Sequence, residues 1–290
     1  MMFSAEAKLL EGIEQDAAKT DAKCIRGELR KLCIDDFGQL LLGMPDSRYP
    51  KLSGVLPRMA SDEVQVGWTG ASGYVLLRQS MTFIRAIWHS YERITGKRLS
   101  DARILDYGCG YGRHLRLMMY FADDDRLFGC DPWAKSIELC RESRIPCDLV
   151  VTDYLPARLP YESFSFDLVY AFSVFTHTSP RATSAALRAL RNVIRTDGLL
   201  TITIRPVEYW DFCPGLSDIA RKELRSRHLE CGFAFLPNNY HALVDGEATY
   251  GETSMSMEYI QQTFPEWRIV GHETTLDDPY QRIVYLQPNR

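Results

Sequence analysis

The sequence predicts an α/β fold: a doubly wound, mostly parallel seven-stranded sheet with one antiparallel strand near its edge. From residue 101 onward, short apolar runs alternate with helical stretches, a pattern typical of a parallel sheet with helices on both faces. Near the C-terminus, two strand-like segments, 267–274 and 282–286, are joined by a short loop. Such a loop cannot make a parallel crossover, so the pair is antiparallel if adjacent.

The first 100 residues predict helices and loops rather than a sheet. Apolar residues recur at helical spacing between Tyr74 and Ile94, and Gly96 provides a stop. The segment before this helix is rich in Pro, Gly and Ser, which favours a loop. In order, the predicted elements are helices over 5–19 and 25–42 (the second interrupted near Asp35-Asp36), a loop over 44–73 and a helix over 74–94.

Residues 101–290 form the predicted sheet domain. The helix that starts at Ser179-Pro180 has a capping residue followed by proline in its first turn, and it is expected to break at Asp197-Gly198. An insertion without the alternating pattern occupies about 206–255. The predicted strands are 102–107, 126–130, 148–152, 166–172, 199–204, 267–274 and 282–286, and the predicted helices are 113–122, 133–144, one from 179 to 197, and 257–264.

Composition and charge exclude several classes of function. A net charge of −4 with a pI near 5.9 argues against a broadly basic nucleic-acid surface, so no nucleic-acid partner is expected. No apolar run approaches the ~18 residues of a membrane span, and the start of the chain lacks the layout of a secretion signal. The chain is therefore predicted to be cytoplasmic. Its eight cysteines contain no C-x-x-C pair, so reduced thiols and no metal site are expected.

A glycine-rich turn follows the first predicted strand, in the segment Asp106–Gly112. A strand that leads through such a turn into a helix is a nucleotide-binding arrangement. The three glycines stand at every second position and do not match the dinucleotide pattern G-x-G-x-x-G. Asp106 directly precedes the turn, where its carboxylate would repel a pyrophosphate but pair with an amino group. Asp131, at the end of the second strand, is positioned to accept both hydroxyls of a ribose.

The segment 104–113 resembles motif I of the class I S-adenosylmethionine-dependent methyltransferases. The resemblance continues at Asp131, at Asp153, through 166–169 and at 196–200. It covers about residues 100–205 and the C-terminal strand pair. It implies S-adenosyl-L-methionine as the cofactor, and it implies that the N-terminal 100 residues, through 67–73 and the helix after it, cover the cofactor site.

The resemblance also implies a set of cofactor-binding residues. Two alternatives stay open: Asp131 as a simple cap for the helix near Trp133, and Asp153 as part of an ordinary turn. The implied set comprises Asp106, Gly108, Cys109, Gly110, Gly112 and Arg113 around the methionine end, Asp131 and Pro132 at the ribose, Asp153 and Tyr154 at the adenine, and Phe172 and Ser173 beside the transferred methyl group.

The methyl acceptor is predicted to bind outside the cofactor motifs. The segment Ala171–Val174 after the fourth strand lacks the Asn/Asp-Pro-Pro-Tyr/Phe motif, which disfavours a nucleobase or glutamine amide as acceptor. Aromatic, Asn, His and Glu residues in the insertion suit a sugar or a small ring. We therefore expect a small-molecule or saccharide hydroxyl, with His177, His241 and Tyr250 as catalytic candidates. His177 is alternatively a helix-entry histidine bonded to backbone.

Two other functions remain compatible with a turn of this kind. The first is an NAD(P)-dependent oxidoreductase on a similar Rossmann-like sheet. The second is a non-catalytic module that keeps the methyltransferase fold and binds a partner. The complete set of motifs argues against the second.

Overall fold

A seven-stranded sheet forms the centre of the computed structural model, which describes residues 6–17, 20–238 and 243–289. Its strand order is β10-β11-β5-β4-β1-β2-β3. Strand β11 runs antiparallel to both of its neighbours, whereas the pairs from β5 to β3 are parallel. The predicted fold class is thereby confirmed. The strands are β1 (Ile104–Tyr107), β2 (Leu127–Asp131), β3 (Asp148–Val151), β4 (Phe166–Ala171), β5 (Ile194–Ile204), β10 (Trp267–Thr274) and β11 (Arg282–Pro288).

Apolar side chains fill both faces of this sheet. Neighbouring residues of β1 divide between two cores, with Ile104 in one and Leu105 in the other, as the two-residue period of a strand requires. The core on the Ile104 face also contains the N-terminal helices, and the core on the Leu105 face contains α9 and α12. The helices that follow strands are α7 (Arg113–Met118), α8 (Ala134–Glu142), α9 (Pro180–Val193) and α12 (Met257–Thr263).

Six α-helices precede the sheet in the part of the chain that the structure describes. The predicted loop over 44–73 is wrong in part, because it contains two short helices. Pro50 opens the first of them, and the Ser61 side chain caps the second by accepting from the Val64 amide. The predicted interruption near Asp35-Asp36 lies a few residues earlier, because the Cys33 side chain caps a new helix that begins at Ile34. The six are α1 (Ala7–Asp16), α2 (Ala22–Leu29), α3 (Ile34–Leu42), α4 (Pro50–Val55), α5 (Asp62–Thr69) and α6 (Gly73–Thr95).

Strand β5 begins five residues before its predicted start at Leu199. Helix α9 ends at Val193 rather than at Asp197-Gly198. The buried Ile194 pairs with Phe166 of β4, and the register then shifts before Leu168 pairs with Leu199. The sequence favours a helix end at Gly198. In the structure Gly198 instead lies within β5, in the stretch where the pairing with β4 is irregular.

The insertion after β5 forms a small unit beside the sheet. Its anchor is the fully buried Trp210, whose Nε1 donates to the Ser254 hydroxyl over 2.6 Å. Strands β6 and β9 pair antiparallel. No helix in the described parts of the chain is long and apolar enough to cross a membrane. The elements are α10 (Tyr209–Phe212), α11 (Asp218–Cys231), β6 (Phe233–Pro237), β7 (Leu243–Val244), β8 (Glu247–Ala248) and β9 (Gly251–Met255).

Candidate active site

The glycine turn after β1 has the backbone that its sequence predicts. Gly108, Gly110 and Gly112 all have positive φ angles, of 75°, 55° and 77°. A Cβ on Gly108 would lie 2.4 Å from Val174 Cγ2, and one on Gly112 would lie 2.0 Å from Ile145 Cδ1. Both positions therefore require glycine for two reasons, the left-handed conformation and the close approach of a packed side chain. Gly110 faces more open space.

Asp106 is the next-to-last residue of the buried strand β1, directly beneath this turn. Its side chain is 1% exposed, and its Oδ2 has no hydrogen-bond partner among the described residues. Burial, with a smaller effect of the charge on Asp131, raises the pKa of this carboxyl to about 8, although Tyr170 and Arg113 act in the opposite direction. A buried carboxyl with an unused oxygen is suited to a cationic partner.

Asp131 lies against the other side of the turn. Its Oδ2 accepts from the Gly110 amide over 3.0 Å, and its Oδ1 accepts from the Trp133 amide over 2.9 Å. The capping contact that the sequence left open is therefore present, alongside a second contact that fixes the turn. Burial raises the pKa of Asp131. Its carboxylate stands at the C-terminal edge of β2, beside the glycines.

The next two predicted residues follow β3. Asp153 is exposed and Tyr154 is half-buried, and burial raises the pKa of the Tyr154 phenol. Asp131 pairs with Val151 in the ladder between β2 and β3, and the Thr152 amide donates to the Asp131 carbonyl over 3.1 Å. Asp153 and Tyr154 are thus brought to the same edge of the sheet as Asp131.

A chain of polar side chains crosses the site from the turn to the last loop. Arg113 lies over the Phe172 ring, with its Cζ 4.9 Å from the centroid. Its Nη1 donates to Gln79 Oε1, and Gln79 Nε2 donates to Asp278 Oδ2, both over 2.9 Å. Burial lowers the pKa of Arg113 and raises that of Asp278. Helix α6 therefore contributes a residue that bridges the turn and the β10–β11 loop.

Ser173 joins three segments at the end of β4. Its φ of 58° is left-handed, and its amide donates to Thr203 Oγ1 of β5 over 2.7 Å. Gln281, from the loop before β11, donates from Nε2 to the Ser173 hydroxyl over 2.8 Å. Phe172 and Ser173, predicted to border the methyl group, are thus fixed between the turn and the last loop.

His177 is held by contacts on both ring nitrogens. Nδ1 lies 2.8 Å from the Gly251 carbonyl, which can only accept, so Nδ1 carries the proton and Nε2 carries the lone pair. Nε2 lies 3.3 Å from Arg205 Nη2. The ring stacks on Tyr250, with centroids 5.0 Å apart and planes 5° apart. The predicted backbone contact is present, and the basic nitrogen faces a guanidinium.

Arg205 and Glu252 form a partly buried ion pair just after the end of β5. Arg205 Nη1 donates to Glu252 and to the Thr176 carbonyl, while the Tyr209 hydroxyl donates to Glu252 Oε2 over 2.6 Å. The Arg205 Cζ lies 4.0 Å from the Tyr209 ring centroid. Burial raises the pKa of Tyr250 to about 12, so this phenol stays protonated at neutral pH.

An aromatic surface continues outward from this pair. Phe212, which is 64% exposed, packs against Tyr280 with ring centroids 5.0 Å apart. Tyr209 lies 6.4 Å from the same ring. The predicted catalytic residue His241 lies outside the described residues. Within the described ranges, no group of three or more His, Cys, Asp or Glu residues is arranged to hold a metal ion.

Residues 104–198 match the family model described as a methyltransferase domain. The match begins at β1 and contains the glycine turn, Asp131 and the β4 edge. Residues 104–198 therefore form a methyltransferase domain. Its methyl donor is S-adenosylmethionine, and the domain lies in the seven-stranded sheet with one reversed strand.

The fold of the chain is shared by a solved structure. The PH0226 protein of Pyrococcus horikoshii aligns with a TM-score of 0.51 at 15% identity, covering 78% of this chain and 98% of that one. Magnesium protoporphyrin IX methyltransferase from Synechocystis, solved with S-adenosylhomocysteine, aligns with a TM-score of 0.48 at 16% identity, covering 78% and 92%.

A curated relative adds a named activity at low identity. The Drosophila melanogaster tRNA N(3)-methylcytidine methyltransferase Mettl2 is 26% identical over 160 residues, which cover 52% of this chain. The methyltransferase chain spans 45% of the length of that relative. The match therefore covers only about half of each protein.

The sequence predicts that 67–73 and the following helix cover the cofactor site, but it does not indicate which of their residues lie at the turn. Gln79 sits on the long helix α6 among core residues and carries no motif. Trp68 lies in α5, within the segment that was predicted as a loop, and it stacks against Trp133 beside the glycine turn. The contacts of these two side chains depend on three-dimensional packing, which the sequence does not reveal.

Proposed function

We propose that the protein transfers a methyl group from S-adenosylmethionine to a hydroxyl oxygen of a small molecule or saccharide. The observation that carries this proposal is the cluster of Arg205, Glu252 and Tyr209, bordered by exposed aromatic rings, at the edge of the sheet where β4 and β5 end. Aromatic faces stack on sugar rings, and fixed charged groups hydrogen-bond to their hydroxyls. The match to the methyltransferase domain supports S-adenosylmethionine as the methyl donor. The cluster supports a small molecule or saccharide as the methyl acceptor.

The residues around the turn fit the cofactor that the family uses. The unused, buried Oδ2 of Asp106 suits the amino group of the methionine end, and the Asp131 carboxylate suits the ribose hydroxyls. When bound, the cofactor supplies an electrophilic methyl group on a good leaving group. We assign binding roles to Asp106, Gly108, Cys109, Gly110, Gly112, Arg113, Asp131, Pro132, Asp153, Tyr154, Phe172 and Ser173.

The protein's own contribution to the reaction is alignment and the removal of one proton. Alignment of the reacting groups contributes up to ~7–11 kcal/mol, and a base adds roughly 10²–10⁴ in rate for a hydroxyl acceptor. His177 accepts a proton on Nε2 only if Arg205 moves away from it. Asp278 is a better-positioned base, because burial makes its carboxyl more basic and Gln79 links it to Arg113 above Phe172.

A second acceptor class, RNA, is favoured by one observation, the likeness to the tRNA methyltransferase Mettl2. A net charge of −4 opposes it, since phosphate contacts dominate the affinity of most RNA-binding surfaces. We therefore rank RNA second.

One labelling experiment separates the two acceptor classes. Purified protein is incubated with methyl-tritiated S-adenosylmethionine and, separately, with a small-molecule and glycan extract or with total RNA from the cells of origin. The proposal expects alkali-stable label, as an ether would give, in the first extract. Label in RNA that ribonuclease releases would contradict it and support the second candidate.

Matched variants test the assignment of the base in the same assay. Asp278→Asn should lower incorporation by about 10²-fold or more, whereas Asp277→Asn in the same loop should leave it near the wild-type value. Asp277 pairs with Arg78 and Thr82 on the outer side of α6. Equal effects of the two substitutions would indicate that the loop matters only for its structure. His177→Ala reports separately on the predicted histidine.

A further inference from the structure

Trp68 comes from outside the matched methyltransferase domain, yet it lies on the glycine turn. Its ring stacks on Trp133, with centroids 4.8 Å apart and planes 24° apart, and meets Tyr111 edge-on at 5.7 Å. Two of its ring atoms lie 3.8 and 3.9 Å from where a Cβ on Gly110 would stand. Trp68 therefore covers the middle glycine of the turn.

Two residues that Trp68 contacts are hydrogen-bonded to Asp131, the carboxylate assigned to the ribose of the cofactor. The Asp131 carboxylate accepts the amides of both Gly110 and Trp133. Because both amides belong to residues that Trp68 touches, the indole lies next to the carboxylate assigned to the ribose. Its stacking partner, Trp133, is 40% exposed and follows Asp131 by two positions.

Most residues of the helix that carries Trp68 are exposed or half-buried. Gln65 is its one buried residue, and the bonds of the Gln65 amide run to Ala60, Asp62 and Gly73. These bonds organise the segment around α5 itself. The segment before α5 is tied to the end of α8, where the Arg58 amide donates to the Ser143 carbonyl. The indole of Trp68 can therefore shift while this anchor remains.

We propose that Trp68 is a cofactor-binding residue that stacks on the adenine base from the side opposite Trp133. This inference rests on the proposed function, since it requires S-adenosylmethionine at the turn. The two indoles are in contact, so a base enters between them only if Trp68 moves outward by about one ring thickness, ~3.5 Å. The aromatic pair then becomes a three-ring stack that encloses the base.

The affinity for S-adenosylhomocysteine tests this assignment in the full-length protein. Stacking of a base on an aromatic side chain is worth about 1–3 kcal/mol on truncation to alanine, so Trp68→Ala should weaken binding by about tenfold or more. The loss should appear mainly as faster dissociation in stopped-flow fluorescence. Trp68→Phe should keep most of the affinity. Val66→Ala, on the same helix at a half-exposed position without a ring contact, is the matched control.

A second ligand shows which part of the cofactor Trp68 contacts. Methylthioadenosine shares the adenosine but lacks the amino-acid end, so Trp68→Ala should weaken its binding by the same factor. Unchanged affinity of the alanine variant for both ligands would overturn the inference, and so would tighter binding, which would mean that Trp68 blocks the site.

Ligand binding to the wild-type protein distinguishes a failure of the role of Trp68 from a failure of the proposed function. If S-adenosylhomocysteine binds to the wild type and Trp68→Ala has no effect, the role of Trp68 fails and the proposed function stands. If S-adenosylhomocysteine neither binds to the wild type nor raises its melting temperature, both fail together. Far-ultraviolet circular dichroism of each variant establishes that the substitutions leave the fold intact.

Discussion

At the scale of single residues, two carboxylates on opposite sides of one turn have different environments. Asp106 is buried with an unused oxygen, whereas both oxygens of Asp131 accept backbone amides. The sequence predicts that both residues belong to the cofactor site, because they lie at the C-terminal ends of adjacent parallel strands. It does not predict their hydrogen bonds, because those depend on the position of Gly110 and on helix α8.

Asp131→Ala should weaken S-adenosylhomocysteine binding by about 1–3 kcal/mol, since charge-assisted hydrogen bonds to the ribose are lost. Isothermal titration calorimetry measures the change. Asp131→Asn keeps an acceptor for one amide and should lose less. An alanine variant with wild-type affinity would remove Asp131 from the ribose site and leave it as a helix cap.

Cofactor binding should release a proton from Asp106. Burial raises the pKa of this carboxyl to about 8, so it is mostly protonated at pH 7, and an ammonium partner favours the charged form. The affinity for S-adenosylhomocysteine should therefore rise with pH, by up to about tenfold per unit, and level off near pH 8. Calorimetry in buffers of different ionisation enthalpy counts the protons. Asp106→Asn should abolish the release, and release unchanged in that variant would assign it elsewhere.

The same carboxyl affects folding in the absence of a ligand. In the unfolded chain it ionises near its ordinary pKa of 3.8, so between about pH 4 and pH 8 the folded protein binds more protons than the unfolded one. Its contribution to the free energy of unfolding therefore falls as the pH rises through that window. Asp106→Asn should flatten this part of the pH dependence.

At the scale of secondary structure, the segments with a clear hydrophobic period are predicted well. Strands β1 to β4 and helix α6 lie within two residues of their predicted ends. Besides the boundary between α9 and β5, the failures include α4 and α5, where Pro and Gly suggest a loop although Pro50 in the first turn and the cap residue Ser61 support helices. Helices this short depend on their caps and on packing, which a periodic pattern does not reveal.

Two glycines with nearly the same φ angle allow the free-energy cost of a left-handed backbone to be distinguished from the cost of a steric clash. Gly112 and Gly70 have φ angles of 77° and 76°, but nothing lies within 4 Å of a Cβ on Gly70. Gly70→Ala should cost only the left-handed strain, about 1–2 kcal/mol. Gly112→Ala should cost about 1–3 kcal/mol more, because its Cβ meets Ile145. Urea unfolding measures both, and equal losses would mean that the packing around Ile145 yields freely.

At the scale of the whole molecule, the predicted division at residue 100 does not coincide with a boundary in the core. One apolar cluster joins Phe37 of the N-terminal helices to Ile104 and Leu168 of the sheet and to Tyr285 of β11. The composition shift near residue 100 is visible in the sequence. The shared core is not, since it depends on which face of α6 packs on the sheet.

Because this core is shared, the N-terminal helices and the sheet should unfold together. Circular dichroism at 222 nm and tryptophan fluorescence should give coincident urea transitions with one midpoint. Trp68 and Trp88 report on the N-terminal part and Trp267 on the sheet, so single-tryptophan variants resolve the two regions. A separate, earlier transition for the N-terminal reporters would show that this part is an independent unit.

The reversed strand β11 also has a consequence for how the protein is made on the ribosome. Residues 275–281 precede β11 and supply Asp278 and Gln281 to the site, so the site is incomplete until this segment has been synthesised. Until β11 follows, the part of β5 that pairs with it, Leu200 to Ile204, presents an unpaired edge, which is a template for pairing with other nascent chains. Ribosome stalling after β10 should therefore yield inactive, aggregation-prone chains that chaperones must shield.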